Sequence, residues 1–145
     1  MPDRAIVLYD RDCGFCRWTL SKLLAWDRRR RLDPVPIESA EGARLLASVP
    51  EDERPRSWHL VADGGEVRSA GAALAPMLRL LPGGAPLAAV AAALPRASEM
   101  AYRLVADRRS VLGRLVTRGA AARAARRVDA RSAASPRPPR HIRSA

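Results

Sequence analysis

A short apolar run that leads directly into a pair of cysteines constrains this chain more than any other feature. Residues 5–9 have the sequence AIVLY, which is the continuous apolar pattern of a buried strand. Cys13 and Cys16 follow it, and the residues from Cys13 to about Arg30 have their apolar side chains at helical spacing. These are the only two cysteines in the sequence. Two thiols three positions apart, where a strand passes into a helix, form a dithiol that can close into a disulfide.

The two thiols at this junction are predicted to differ in reactivity. Cys13 falls at the N-terminus of the predicted helix, where unpaired backbone N–H groups and the positive end of the helix dipole favour a thiolate. Cys16 lies one turn deeper and is suited to resolve a mixed disulfide formed at Cys13. Asp10, at the end of the strand, is either a base that accepts the proton of Cys16 or a hydrogen-bonding residue of the loop. Asp12 is predicted to be the N-cap of the helix.

Two other kinds of site could be built from these residues. A zinc site needs four ligands, and only His59 and His141 could join the two cysteines. A strand followed by Asp10 and Asp12 also fits a haloacid-dehalogenase-like phosphatase, with Asp10 as nucleophile and Asp12 as general acid–base. That mechanism needs a lysine and further carboxylates for Mg²⁺, but the single lysine, Lys22, falls within the predicted helix, and no acidic pair follows a later strand. We therefore expect no metal and no cofactor.

The rest of the first 118 residues alternates predicted strands and helices. We expect a short edge strand at 32–37, a helix at 41–49, hairpin strands at 57–62 and 66–69, and helices at 72–81, 87–94 and from about 97. The apolar residues of the last helix, such as Leu104 and Val111, lie largely opposite its arginines. This order of elements predicts an α/β fold of the thioredoxin-like, glutaredoxin type, with a mixed sheet, flanking helices and extra C-terminal helices.

The positive charge is concentrated in the last third of the chain. The formal net charge is +11, and residues 96–145 have 13 basic and 3 acidic side chains, compared with 13 and 12 in residues 1–95. We predict one domain over residues 1–118 and a basic tail over residues 119–145, disordered after about residue 128. All but one of the basic residues are arginines, which is typical of a GC-rich coding sequence. The alternative is that the basic tail contacts nucleic acid or an anionic membrane surface.

The apolar stretches of the sequence are too short to direct the chain into or across a membrane. Residues 5–9 are shorter than the apolar region of a signal peptide, and residues 86–94 are far shorter than a membrane span. We therefore expect a cytoplasmic protein. A permanent structural disulfide is unusual in that compartment, which favours a redox role for the two cysteines.

The stretch LYDRDCGFC, residues 8–16, resembles the signature of the DCC family of predicted thiol–disulfide oxidoreductases. The family is named for an Asp-x-x-Cys-x-x-Cys pattern, which falls here on Asp10, Cys13 and Cys16. The resemblance spans about residues 5–115, with further matches at Trp58-His59-Leu60-Val61, Asp63-Gly64, Gly71-Ala72, Tyr102-Arg103 and Arg108-Arg109.

This resemblance implies a thioredoxin-like fold and a protein-disulfide reductase whose catalytic residues are Cys13, Cys16 and Asp10. The substrate would be a disulfide of a protein or of a small thiol, and the electrons would come from a thioredoxin- or glutathione-type system. Better-known thioredoxin relatives place a cis-proline opposite the CxxC, and Pro55 is the nearest candidate for that position. The alternative from another functional class is a redox-inert binding module that contacts nucleic acid or membrane through the basic C-terminal third.

Overall fold

The computed structural model describes residues 4–135, which form a sheet with helices packed around it. The strands are β1 (Ala5–Tyr9), β2 (Leu32–Pro36), β3 (His59–Ala62) and β4 (Val67–Ser69). The helices are α1 (Gly14–Trp26), α2 (Ala40–Leu45), α3 (Leu74–Leu80), α4 (Ala85–Ala93), α5 (Pro95–Asp107), α6 (Arg109–Leu115) and α7 (Arg118–Ala134), with short 3-10 helices at Arg54–Arg56 and Ala70–Ala73. Within the described residues, no helix has both the length and the apolar character needed to cross a bilayer.

The four strands form one mixed sheet in the order β2-β1-β3-β4. β1 runs parallel to β2 and antiparallel to β3, so it is a central strand, and all five of its residues are buried. Pro34 and Pro36 lie in β2, which is an edge strand as the sequence predicts, because proline cannot donate to a second neighbour. β3 and β4 form the predicted hairpin, in which Gly65 has a φ of 80°, a conformation that favours glycine.

Alternate residues of β1 face two separate apolar clusters. Val7 lies in the cluster that contains Leu20 of α1 and Met77 of α3, whereas Leu8 lies in the cluster that contains Leu46, just after α2. Helices therefore cover both faces of the sheet, which is why a continuous apolar run forms its centre. This arrangement confirms the predicted α/β, thioredoxin-like fold.

The chain after residue 118 differs from the sequence-based expectation. We expected no structure after about residue 128, but residues 118–134 form α7, which begins after the N-cap Thr117 and packs along α1. Ala124 and Val128, one turn apart, are buried, and Val128 belongs to the same apolar cluster as β1. An Ala- and Arg-rich segment has high helix propensity, and these two buried residues attach the helix to the domain. Residues 136–145, which include the rest of the basic tail, lie outside the described residues.

A buried ion pair joins α7 to the end of α1. The carboxylate of Asp27 is fully buried and accepts hydrogen bonds from the backbone N–H groups of Arg31 and Leu32, at 3.0 and 2.9 Å. It also accepts one from the guanidinium of Arg131 at 3.0 Å. Arg131 donates further bonds to the main-chain oxygens of Leu24 and Asp27, both at 3.2 Å. A charged side chain of the predicted tail therefore belongs to the folded domain.

Two contacts hold α5 against the core. This helix is shorter than the single long helix that the sequence predicts from about residue 97. The carboxylate of Glu99 accepts a hydrogen bond from the N–H of Gly71 at 2.9 Å, and a Cβ at Gly71 would lie only 2.6 Å from the Cα of Glu99. The hydroxyl of Tyr102 accepts a hydrogen bond from the N–H of Trp58 at 2.7 Å. The expected helix is interrupted at Arg108, where α5 ends before α6 begins. These contacts place α5 beside the loop that precedes β3.

Candidate redox-active site

Cys13 and Cys16 lie at the N-terminus of α1, immediately after the central strand β1. They form a disulfide, with their Cα atoms 5.2 Å apart. Cys13 is the N-cap of α1, and its Sγ accepts a hydrogen bond from the N–H of Cys16 at 3.3 Å. The prediction that Asp12 caps the helix is wrong. Asp12 lies in a turn with its N–H donated to the carboxylate of Asp10 at 2.8 Å, so the helix begins one residue later and a sulfur occupies the cap position.

The two cysteines differ in their exposure to solvent. Cys16 is only 6% exposed, whereas Cys13 is half-buried. Cys13 opens onto a shallow depression of about 440 Å³, which also contains Arg109 and Arg114 of α6. A substrate approaching through this depression meets Cys13, with Arg109 and Arg114 on one side and the carboxylates of Asp10 and Asp12 also in the lining.

A second, apolar cavity of about 290 Å³ lies beside Cys16. Its walls come from α1, α5, the start of α3 and the loop that precedes β3, and they include Phe15, Thr19, Trp58, Leu74, Ala101, Tyr102, Val105 and Ala106. Its charged lining residues are Asp10, Arg56 and Arg109. An apolar cavity with a few charged groups at its edge is the usual form of a site for a small organic group.

Asp10 lies beside the cysteines and is one of three residues, with Phe15 and Arg109, that line both cavities. It follows β1 directly, and it lines the cavity of Cys16 as well as the depression of Cys13. Its carboxylate forms the loop hydrogen bond to Asp12 that the sequence allowed as one alternative. The structure therefore brings Asp10, Cys13 and Cys16 together at one place, and the role of Asp10 as a base stays a prediction.

The histidine that the zinc hypothesis required has other partners. His59 is buried in β3, with Nε2 2.9 Å from the main-chain oxygen of Arg54 and Nδ1 2.6 Å from the hydroxyl of Ser69. Because a carbonyl can only accept, Nε2 donates, and burial lowers the pKa of His59, which favours the neutral ring. His141, the other candidate ligand, lies outside the described residues.

Three carboxylates beside the cysteines meet part of the requirement of the phosphatase hypothesis. Oxygens of Asp10, Asp12 and Glu38 lie within 4.8 Å of one another, and Asp12 and Glu38 are exposed. The lysine that this mechanism needs is engaged elsewhere, since the ammonium of Lys22 lies 5.4 Å from the centre of the Trp18 ring. Exposed acidic clusters are common without a bound ion, so this one does not define a catalytic site.

The sequence did not assign a role to the residues that shape the cavity. Tyr102 bonds to Trp58, and burial raises the pKa of Tyr102, so its hydroxyl stays protonated. Arg109 donates a hydrogen bond to the main-chain oxygen of Pro55 at 2.7 Å. The residue pairs 102–103 and 108–109 match the family in sequence, but only the fold shows what they contact. Every peptide bond in the described residues is trans, including the one before Pro55, which lines the cavity.

Residues 7–115 match a family model described as DCC1-like thiol-disulfide oxidoreductase. The matched range begins within β1, includes both cysteines and extends to the end of α6, so all of the site lies inside it. This match confirms the resemblance seen in residues 8–16. No curated protein and no solved structure matches the chain significantly.

Proposed function

The chain belongs to the DCC1-like thiol-disulfide oxidoreductase family, and from this premise we propose that it is a reductase of protein or small-thiol disulfides. The observation that supports the proposal most strongly is the pairing of a half-buried Cys13 with a buried Cys16 at the start of α1. An accessible thiol forms the bond to the substrate and a shielded thiol releases it, which is how CxxC dithiols exchange disulfides.

In the first step of the proposed mechanism, the thiolate of Cys13 attacks one sulfur of the substrate disulfide. The bond between the two substrate sulfurs breaks, one of them leaves as a thiolate, and a mixed disulfide forms at Cys13. The helix N-terminus assists this step, because the N–H of Cys16 already points at the sulfur of Cys13 from 3.3 Å.

In the second step, Cys16 attacks the sulfur of Cys13 and resolves the mixed disulfide. Asp10 accepts the proton of the Cys16 thiol, the bond between Cys13 and Cys16 forms, and the second substrate sulfur leaves as a thiolate. Two electrons have then passed from the protein to the substrate. A thioredoxin- or glutathione-type system in the cytoplasm would restore the dithiol by the same exchange in reverse.

The two surfaces beside the sulfurs suggest the kind of substrate that fits. The apolar cavity next to Cys16 suits an apolar group adjacent to the disulfide. The depression at Cys13 is lined by two arginines, Arg109 and Arg114, and two aspartates, Asp10 and Asp12, so its charge does not favour a substrate of either sign.

The order of attack is tested by trapping the mixed disulfide. Cys16→Ser is expected to accumulate a covalent adduct with a model disulfide, because the attacking thiol remains and the resolving thiol is absent. Cys13→Ser, which retains only the shielded thiol, is expected to form little adduct. Intact-mass spectrometry after acid quenching measures both. Adduct formation by Cys13→Ser alone would reverse the assignment, and adducts from neither variant would refute the proposed function.

The role of Asp10 is tested by its conversion to asparagine. Asp10→Asn is expected to slow resolution of the mixed disulfide on the order of 10²-fold and to change the pH dependence of that step, because the proton acceptor is lost. Thermal stability should stay within about 1 kcal/mol, because an amide oxygen can still accept the N–H of Asp12.

Asp12→Asn is the matched control for this experiment, because it removes the same charge from the same turn. It is expected to resolve the mixed disulfide at the wild-type rate. Equal slowing in the two variants would show that local charge, and not proton transfer at Asp10, accounts for the effect. A large loss of stability in Asp10→Asn with unchanged exchange kinetics would assign Asp10 to the fold.

A further inference from the structure

In the part of the chain that the structure describes, the exposed large apolar side chains are confined to one region. Among residues 4–135 they are Leu87, Val90, Leu94, Met100, Leu104, Val105, Val111 and Leu115, all from the consecutive helices α4, α5 and α6 or their ends. α5 contacts both of its neighbours. A concentration of exposed apolar surface on a small protein marks a site that contacts a partner or a membrane.

An amphipathic helix usually turns its apolar side toward the protein, but α5 turns its polar side toward the protein. Ala97, Met100, Ala101, Leu104 and Val105 form a stripe at helical spacing, which we call the α5 stripe, and all five are exposed. Met100 is 72% exposed and Leu104 is 53% exposed. The contacts that hold α5 to the core are made instead by its polar residues, through Glu99 and Tyr102. The apolar face of an amphipathic helix is therefore turned outward.

Arginines are frequent in the segment that carries this apolar surface. Residues 96–118 contain six arginines and two acidic residues. One of the two acids, Glu99, is bound to Gly71 and to Arg103. A helix with a strongly apolar face, low overall hydropathy and basic residues on its polar side is typical of helices that lie in the interface of a membrane.

We propose that α4, α5 and α6 form a membrane-binding surface whose α5 stripe inserts among the acyl chains of an anionic bilayer. The arginines at 96, 103, 108, 114 and 118, all exposed, then contact the lipid phosphates. This surface is not part of the basic tail over residues 119–145. It lies largely within residues 7–115, which match the family model.

Charge and composition favour a lipid surface over a second copy of the chain or another protein. A second copy would bring the same arginines face to face, and like charges disfavour that contact. The stripe consists of alanine, leucine, valine and methionine, whereas protein interfaces depend on aromatic anchors in their centre. Lipid requires only apolar area and opposite charge, and this surface offers both.

The surface also adjoins the candidate redox-active site. Ala101 and Val105 belong to the α5 stripe and line the apolar cavity beside Cys16. Binding through this stripe would hold the CxxC at the bilayer surface, where the disulfides it meets belong to membrane-bound or membrane-adjacent proteins.

Sedimentation of the full chain with lipid vesicles tests the proposal. The protein is expected to bind phosphatidylcholine vesicles that contain phosphatidylglycerol, to bind pure phosphatidylcholine vesicles weakly, and to be released by salt. Leu104→Gln and Met100→Gln should each lower the partition coefficient about tenfold. Arg103→Gln should lower it about fivefold.

Arg68→Gln is the matched control for Arg103→Gln. Both arginines are exposed and paired with a glutamate, Arg68 with Glu66 at 3.0 Å and Arg103 with Glu99 at 2.7 Å, but Arg68 lies in β4. Arg68→Gln is expected to bind vesicles like the wild type. All four variants should keep the wild-type melting temperature and rate of disulfide exchange, so a failure here is distinct from a failure of the proposed function.

Three results would overturn this inference. The first is a wild-type protein that does not bind vesicles containing phosphatidylglycerol. The second is binding that both glutamine variants of the α5 stripe retain in full. The third is a dimer that replaces vesicle binding and is lost in Leu104→Gln, as measured by sedimentation equilibrium, which would make this surface an interface between copies of the chain.

Discussion

A chain that ends at Arg127 is expected to be less stable than the full chain by at least 3–5 kcal/mol, or about the whole stability of a marginal domain. The truncation removes Val128, which is fully buried in the main apolar cluster. It also removes Arg131 and leaves the carboxylate of Asp27 buried without its counter-charge. Urea denaturation followed by circular dichroism measures the loss.

A chain that ends at Ser135 is the control for this truncation, because it retains every contact described for α7. It is expected to unfold at the urea concentration of the full chain. The sequence predicts a tail that is disordered after about residue 128, and such a tail would make the truncation at Arg127 neutral. Equal urea midpoints for the chains ending at Arg127 and Ser135 would support that first expectation and contradict the docking of α7.

Replacing the side chain of Arg131 alone is expected to destabilise the domain nearly as much as the truncation at Arg127 does. Arg131→Met should destabilise the domain by about 3–5 kcal/mol, because breaking a buried ion pair leaves an uncompensated charge. Asp27 is fully buried and Arg131 is only 13% exposed, so solvent screens this pair weakly. The double variant Asp27→Asn with Arg131→Met should recover part of the loss, because no unpaired charge remains.

Arg103→Met is the matched control, since it breaks an ion pair with Glu99 in which the arginine is 73% exposed. It should cost less than about 1 kcal/mol, as exposed pairs usually do. Thermal denaturation of the four proteins, including the double variant, gives the comparison. A loss in Arg131→Met no larger than in Arg103→Met would show that the pair with Asp27 is not part of the folded core.

The elements nearest the site could be predicted because their signals are local. An unbroken apolar run predicts a buried strand, and β1 is fully buried at the centre of the sheet. Prolines at 34 and 36 predict an edge strand, and β2 lies at an edge. The spacing of Cys13 and Cys16 predicts a disulfide, and the two residues form one. Each of these inferences needs only a few adjacent residues.

The docking of α7 could not be predicted because its contacts are distant in sequence. The ion pair of Asp27 with Arg131 spans 104 residues. Ala124 and Val128 are the buried residues of α7, too few to produce a clear apolar face among so many arginines. The composition of α7 therefore resembles that of a disordered segment. The helix docks because Arg131 has a specific partner, Asp27, in the rest of the domain.

The cavity beside Cys16 could not be predicted for a related reason. The apolar pattern of α5 is strong, but pattern alone does not say that this face is turned outward. The orientation is set by hydrogen bonds from the N–H of Gly71 to the carboxylate of Glu99 and from the N–H of Trp58 to the hydroxyl of Tyr102, which only the tertiary fold brings together. The N-cap was missed because a cysteine sulfur, in place of the more usual aspartate oxygen, accepts the capping N–H.

The most direct test of the redox account is the equilibrium between the dithiol and the disulfide of Cys13 and Cys16. The full chain is equilibrated with glutathione or dithiothreitol buffers of known potential, the free thiols are alkylated, and the product masses are counted. We expect one two-electron transition, in which both thiols are lost together, at a potential between about −120 and −270 mV. Two thiols that are alkylated independently at every potential and never pair would contradict it.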